Sequence, residues 1–95
     1  MASDKFKSDV EQITSALAEL LCKKQDDYGP GNINNAYLSP INGLLVRMGD
    51  KFERLKNLYA SDNKPNFETI EDTFMDLANY AIIGMMVERG VWPAN

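Results

Sequence analysis

Ninety-five residues, 44% of them hydrophobic and 25% charged, are enough for one small domain, which we place over residues 1–95. A domain of this size buries only about 60–65% of the surface that its unfolded chain exposes, so a monomer would be marginally stable. The net charge of −4 argues against extended nucleic-acid binding, and no apolar segment reaches the roughly 18 residues that a membrane span needs.

The chain contains one cysteine, Cys22, and no histidine. A single cysteine cannot form an intramolecular disulfide, and the amino-terminal stretch lacks the basic start and apolar run of a secretion signal. We therefore expect a reducing, cytoplasmic location. Without histidine, any catalysis would depend on carboxylates, lysine, tyrosine or a metal-bound water.

Three main helices are predicted, which indicates an all-α fold. The first, over residues 4–25, carries one apolar stripe formed by Phe6, Val10, Ile13, Leu17, Leu20 and Leu21. It ends in QDDYGPGNINNAYLSP, a predicted loop of roughly a dozen residues. Ser39 and Pro40 are typical of a helix start, so the second helix is predicted over residues 40–60. A turn over SDNKPN, residues 61–66, then leads to a third helix over residues 67–89, with Asn66 as its cap.

The end of the third helix, AIIGMMV at residues 81–87, is apolar around its whole circumference. Such a helix must be covered on more than one side, which three helices of one chain can hardly do. We therefore expect a homo-oligomer, either a dimer or a tetramer. Gly43 and Val46, on the outer face of the second helix, are consistent with a close helix approach there. Gly90 is predicted to end the third helix, with Trp92 folding back as a plug.

Charged side chains are clustered on the second and third helices. On a helical wheel, an arc of about 100° holds Arg47, Asp50, Lys51 and Arg54, and an arc of about 60° holds Asp72, Asp76 and Asn79. Converging carboxylates repel one another and persist mainly where a divalent cation or a basic group lies among them. The alternative is that each charged stripe is an ordinary solvent-exposed helix face.

The predicted loop also contains candidate ligand contacts. In DYGPGN, Tyr28 offers a stacking ring and Asn32 a two-sided hydrogen-bonding amide, beside glycines that allow unusual backbone angles. The alternative is an ordinary turn in which Tyr28 packs on the core. The segment lacks the spacing of a recognised phosphate loop.

Three blocks carry a family resemblance: DYGPGNI, GLLVRMGDKFERLKNL and IEDTFMDLANYAIIG. In this order they resemble the phage-associated nucleotide-modification domain family, commonly grouped with MazG-like all-α nucleotide pyrophosphohydrolases, over roughly residues 20–93. The resemblance implies a MazG-like helical bundle completed by oligomerisation. It also implies binding of Mg²⁺ or Mn²⁺, hydrolysis between the α and β phosphates of a nucleotide, and the host cytoplasm as the location if a phage encodes the chain.

The acidic pattern of MazG-like enzymes is only partly present. In place of Glu-x-x-Glu and Glu-x-x-Asp, this sequence has Arg47-x-x-Asp50 and Thr73-x-x-Asp76, so only the second acid of each pair is retained. Asp72 is the best candidate to replace a missing ligand, and Glu53 or Glu71 fit less well. Fewer carboxylates hold a metal more weakly and leave no obvious base for the attacking water.

Two functional hypotheses follow. In the first, the protein hydrolyses a (deoxy)nucleoside triphosphate or modified nucleotide to monophosphate and pyrophosphate. The metal ligands are then Asp50, Asp72 and Asp76, and the phosphate-binding residues are Arg47, Lys51 and Arg54. Asn79 and Tyr80 orient ligands or the sugar, while Tyr28 and Asn32 contact the base.

In the second hypothesis, the protein is a non-catalytic sponge that sequesters a cyclic or signalling nucleotide of host antiviral defence. A helical domain that binds a protein partner and no small ligand is a further alternative.

Overall fold

The computed structural model describes residues 1–62 and 64–95, whose regular secondary structure is entirely helical. The helices are α1 (Asp4–Tyr28), α2 (Gly31–Asn34), α3 (Pro40–Ser61) and α4 (Ile70–Glu88). The all-α prediction and its three long helices are confirmed. The single turn of α2 lies inside the predicted loop and was missed. Its Ile33 is only 2% exposed, which shows that this short helix contributes a side chain to the core.

The helix ends follow local capping chemistry. Ser39 caps α3 as predicted, because its Oγ accepts a hydrogen bond from the Asn42 amide and Pro40 is the first helical residue. α1 continues to Tyr28 and ends at Gly29, whose φ of +64° suits glycine and whose amide donates to the Gln25 carbonyl.

The predicted start of the last helix was wrong. Thr69, and not Asn66, caps α4, because Thr69 Oγ1 accepts from the Asp72 amide while the Asp72 carboxylate accepts from the Thr69 amide. This reciprocal capping box satisfies two amides at once. The predicted turn over residues 61–66 includes Asn63, which lies outside the described residues.

The central core is formed by Ile33, Leu44 and Ile83. Partly buried apolar side chains pack against it, namely Leu21, Ile41, Tyr80, Val87 and Trp92. Trp92 folds back as predicted, and its Nε1 donates to the Pro30 carbonyl at 3.4 Å. α3 and α4 pack side by side and run antiparallel, since Leu44 lies against Gly84 at one end and Arg54 reaches Thr73 at the other.

Two expectations about close packing have different outcomes. Gly43 does allow a close approach, but within the chain, because a Cβ at Gly43 would overlap the Cβ of Ala36. In the apolar end of α4, Ile83 is buried whereas Ala81 and Met85 are exposed. One chain therefore leaves part of this helix uncovered, and the homo-oligomer stays a prediction.

We predict that Gly43→Ala lowers the free energy of unfolding by about 1–3 kcal/mol, because the added methyl group must displace the Ala36 backbone or α3 itself. The matched control is Gly84→Ala, where the nearest atom, Leu44 Cδ1, is an ordinary 3.9 Å away. Alanine favours the helix there, so we expect a gain of about 0.5–1 kcal/mol. Urea denaturation followed by circular dichroism measures both changes, and equal effects of the two variants would contradict the proposed close approach.

Candidate functional site

One carboxylate, that of Asp76 in α4, binds two lysines from other helices. Asp76 Oδ1 accepts from Lys24 Nζ of α1 at 2.8 Å, and Asp76 Oδ2 lies 2.9 Å from Lys51 Nζ of α3. The Asp76 side chain is only 11% exposed. Lys51 also binds Glu68, in the connection before α4, at 2.9 Å. This ion cluster, formed by Lys24, Lys51, Glu68 and Asp76, ties the three long helices together.

Contacts within the ion cluster stabilise the charged forms of Asp76, Glu68 and Lys51. Burial by itself would raise the pKa of Asp76, but the hydrogen bonds and charges of Lys24 and Lys51 outweigh burial and hold that pKa below its usual range. A hydrogen bond from Thr73 lowers the pKa of Glu68, with a further contribution from Lys51. Burial opposes the charge of Lys51 as well, yet its two carboxylate partners raise its pKa. All three groups are therefore charged at neutral pH.

Arg54 holds α3 to the start of α4. Its guanidinium donates to Thr73 Oγ1 and to the Glu68 carbonyl, each at 2.6 Å. Thr73 is fully buried and its Oγ1 also lies 2.6 Å from the Glu68 carboxylate. Arg54 and Lys51 were predicted to bind phosphate, but the structure places both in contacts between helices.

A cavity opens beside the ion cluster, between α1, α2, α3, α4 and the folded-back Trp92. Six of the residues predicted from the sequence line it, namely Tyr28, Asn32, Arg47, Asp76, Asn79 and Tyr80. Six further lining residues were missed, namely Leu21, Lys24, Gln25, Ile33, Ile83 and Trp92. Lys24 and Gln25 already lie in the predicted first helix, and extending that helix to Tyr28 would have shown that all three residues share one face.

Asn79 is the exceptional residue of the cavity wall. Its side chain is buried, with the residue 4% exposed, and neither its Oδ1 nor its Nδ2 has a hydrogen-bond partner within the described residues. A buried polar group without a partner costs about 1–3 kcal/mol. The Asn79 amide therefore offers one donor and one acceptor to whatever occupies the cavity, water or ligand.

Arg47 differs from the other two cations of the predicted stripe. It lies in the cavity wall, and within residues 1–62 and 64–95 its guanidinium forms no ion pair or hydrogen bond. Lys51 and Arg54, in contrast, are held by α4 and the segment before it. Arg47 is thus the arginine that is placed to receive an anion in the cavity.

The three predicted metal ligands are not brought together. Asp76 binds lysines, Asp72 is exposed and completes the cap of α4, and Asp50 is exposed on α3. Within the described residues, no group of three or more histidine, cysteine, aspartate or glutamate side chains is placed to hold a metal ion. The residues of one chain therefore do not fit the predicted Mg²⁺ or Mn²⁺ site, because lysine ammonium groups occupy the positions around Asp76 where a cation would bind.

The lowered pKa values of Asp76 and Glu68 predict a defined acid sensitivity. Their contribution to stability is complete above the ordinary carboxyl range, about pH 4, and is lost as the pH falls through the lowered folded-state values. We predict that Asp76→Asn lowers the neutral-pH free energy of unfolding by about 1–3 kcal/mol and flattens its acid dependence. The control is Asp50→Asn on the exposed face of α3. Stability curves between neutral and acid pH that coincide for wild type and Asp76→Asn would contradict the structural role of the ion cluster.

Comparison with known proteins identifies a family for this chain. No curated protein and no solved structure matches the chain. Across the described residues, no helix is both long and apolar enough to cross a membrane. One family model matches residues 24–87, more than half of the chain, and this range contains every lining residue of the cavity except Leu21 and Trp92. The chain belongs to the family described as "Nucleotide modification associated domain 1".

Proposed function

We propose that this protein binds a nucleotide in the cavity, with the base against Asn79 and a phosphate against Arg47. The observation that carries the proposal is the buried Asn79 amide, whose donor and acceptor both lack partners in the described chain. Nucleobases present donors and acceptors side by side along their edges, so one side-chain amide can pair with two base atoms at once. The family's association with nucleotide modification supports this class of ligand.

The walls around Asn79 suit the rest of a nucleoside. Tyr80 and Trp92 are partly buried beside it and offer ring surfaces, while Tyr28 is 67% exposed at the cavity edge. Aromatic rings stack on any base and add affinity without selecting among bases. We propose that selection among bases comes from Asn79, with Asn32 as a second amide on the wall.

The phosphate is assigned to Arg47 because that guanidinium has no partner to give up within the part of the chain that the structure describes. Arginine binds phosphate oxygens through two parallel N–H donors, an arrangement that lysine cannot reproduce. Lys24 lies in the same wall and its side chain is 44% exposed, so one of its remaining protons can point toward an anion while Asp76 retains another.

Capture without cleavage is the function that the geometry supports best. Hydrolysis needs a base or a metal-bound hydroxide beside phosphorus, and a base is effective when its pKa is near the working pH. Asp76 is the one predicted metal ligand in the cavity wall, and its lowered pKa makes it a weak base. The sponge hypothesis is therefore preferred to the pyrophosphohydrolase hypothesis, and host defence signals remain the ligands that the resemblance to phage proteins suggests.

Isothermal titration with a panel of mono-, di-, tri- and cyclic nucleotides, in buffer containing EDTA, tests the proposal. We predict saturable binding of at least one nucleotide, weakened about 10- to 100-fold by Arg47→Gln, since a charged hydrogen bond is lost. Arg89→Gln makes the same change in net charge on an exposed residue outside the cavity and should leave the affinity unchanged.

Three results would contradict the proposal. The first is that no nucleotide binds at millimolar concentration. The second is that binding is seen only when Mg²⁺ replaces EDTA, and the third is that Arg47→Gln and Arg89→Gln weaken binding equally. Incubation with Mg²⁺ followed by product analysis completes the test, because release of monophosphate and pyrophosphate would favour the hydrolase hypothesis over capture.

Asn79→Leu should separate ligand binding from stability. Leucine has a similar volume and no unpaired polar atoms, so we predict a free energy of unfolding about 1–3 kcal/mol higher without ligand, together with loss of nucleotide binding. The control is Asn57→Leu on the exposed surface of α3, where we expect a change within about 0.5 kcal/mol. A lower stability for Asn79→Leu, or unchanged binding, would show that the Asn79 amide is not a ligand contact.

A further inference from the structure

The α3–α4 pair has a second broad surface, on the side away from α1. Five large apolar side chains there are more than half exposed: Leu45 63%, Phe52 56% and Tyr59 65% on α3, with Phe74 53% and Met85 54% on α4. We call these five residues the hairpin face. A contiguous apolar surface of this kind is unusual on a monomeric domain and marks an interaction site.

The hairpin face is one surface because its two strips lie on corresponding flanks of the two helices. On α3, Leu45, Phe52 and Tyr59 follow one another at intervals of seven residues, about 60–100° from buried Leu44. Arg47 and Lys51 lie on the opposite flank of α3, toward the cavity and α1.

On α4, Phe74 and Met85 lie about 100–120° from buried Thr73, while Asp76 and Ile83 lie on the other flank, again toward α1. Because α3 and α4 run antiparallel, flanks that turn away from α1 on both helices face the same way.

We propose that the hairpin face of one chain packs against the hairpin face of a second copy, about a twofold axis. This inference does not depend on the proposed function, because the cavity lies on the opposite side of the α3–α4 pair. It adds residues of α3 to the sequence-based expectation that a second copy covers part of residues 81–87.

The exposed area is sufficient for a dimer. An aromatic side chain buries about 150–250 Å² when fully covered, so Phe52, Tyr59 and Phe74 at their present exposure offer about 350 Å². Leu45 and Met85 bring this to about 500–600 Å² per chain, or roughly 1,100 Å² over two chains, which passes the roughly 1,000 Å² expected of a specific interface. Neighbouring backbone and partly exposed side chains add to this area.

The shape of the hairpin face favours a second copy over an unrelated partner. Gly49 lies between Leu45 and Phe52 on α3, and nothing lies within 4 Å of where its Cβ would be. A glycine inside an exposed helix costs about 1 kcal/mol relative to alanine, and no contact among residues 1–62 and 64–95 explains Gly49. A twofold axis near Gly49 would place Phe52 of each copy beside Gly49 of the other. Each phenylalanine ring would then fill the space left by the missing glycine side chain.

Sedimentation velocity over a hundredfold range of concentration tests the inference. The wild type should sediment with twice the mass of one chain, and Phe52→Glu should sediment as a monomer with helical circular dichroism. Val46→Glu is the matched control, since Val46 is 58% exposed on the same helix but lies outside the hairpin face; it should remain a dimer. A monomeric wild type, or a Phe52→Glu protein that stays dimeric, would overturn the proposal.

Hydrogen exchange of the wild type supplies a test that needs no substitution. On raising the concentration, amide protection should increase over residues 45–59 and 74–85. Increased protection confined to the amino-terminal half of α1, where Phe6 and Ile13 are also exposed, would overturn the hairpin face as the interface.

Discussion

The fold depends on one carboxylate shared by two lysines. Asp76 is 11% exposed, and a charge in that position is tolerable only because Lys24 and Lys51 each hold an oxygen at 2.8–2.9 Å. Since Lys24 belongs to α1 and Lys51 to α3, this contact fixes α1 across the other two long helices. The cavity lies beside that crossing, so the same ion cluster that joins the helices also positions Tyr28, Arg47 and Asn79 around one space.

The three cations of the predicted stripe on α3 differ in their contacts, since two of them hold the helices together and one remains available for a ligand. Arg47, Lys51 and Arg54 lie on one helical stripe, yet Lys51 and Arg54 are bound to Glu68, Thr73 and Asp76. Arg47 instead lines the cavity and has no partner among the described residues. The predicted metal ligands also have different surroundings. Lys24 and Lys51 neutralise Asp76, whereas Asp72 caps α4. This arrangement is the basis of our proposal that the cavity binds a phosphorylated ligand without cleaving it.

What could be predicted from the sequence was largely local. Ser39 and Pro40 fixed the start of α3 because a cap acts over only three residues, and six of the ten predicted site residues line one cavity. Asp72 was predicted as a metal ligand, and its observed role in the cap of α4 was not predicted, although Thr69 and Asp72 have capping-box spacing, a signal present in the sequence. The pairing of Lys24 with Asp76 joins residues 52 positions apart, and no helical period predicts which cation meets which carboxylate. Asn79 was predicted as a site residue from its helical stripe, but its burial, and the lack of partners for its amide within the described residues, could be seen only in the packed structure.

The NMR signal of the Asn79 side-chain amide reports directly on whether a nucleotide binds beside it. The Asn79 side-chain resonances can be assigned by their absence from the spectrum of Asn79→Leu and then followed as nucleotide is added in EDTA. We predict that the Asn79 Nδ2 resonance shifts as the cavity fills, together with the guanidinium resonances of Arg47. Nucleotide-dependent shifts confined to the exposed surface around Asp50 and Asp72, with Asn79 unmoved, would contradict nucleotide binding beside Asn79.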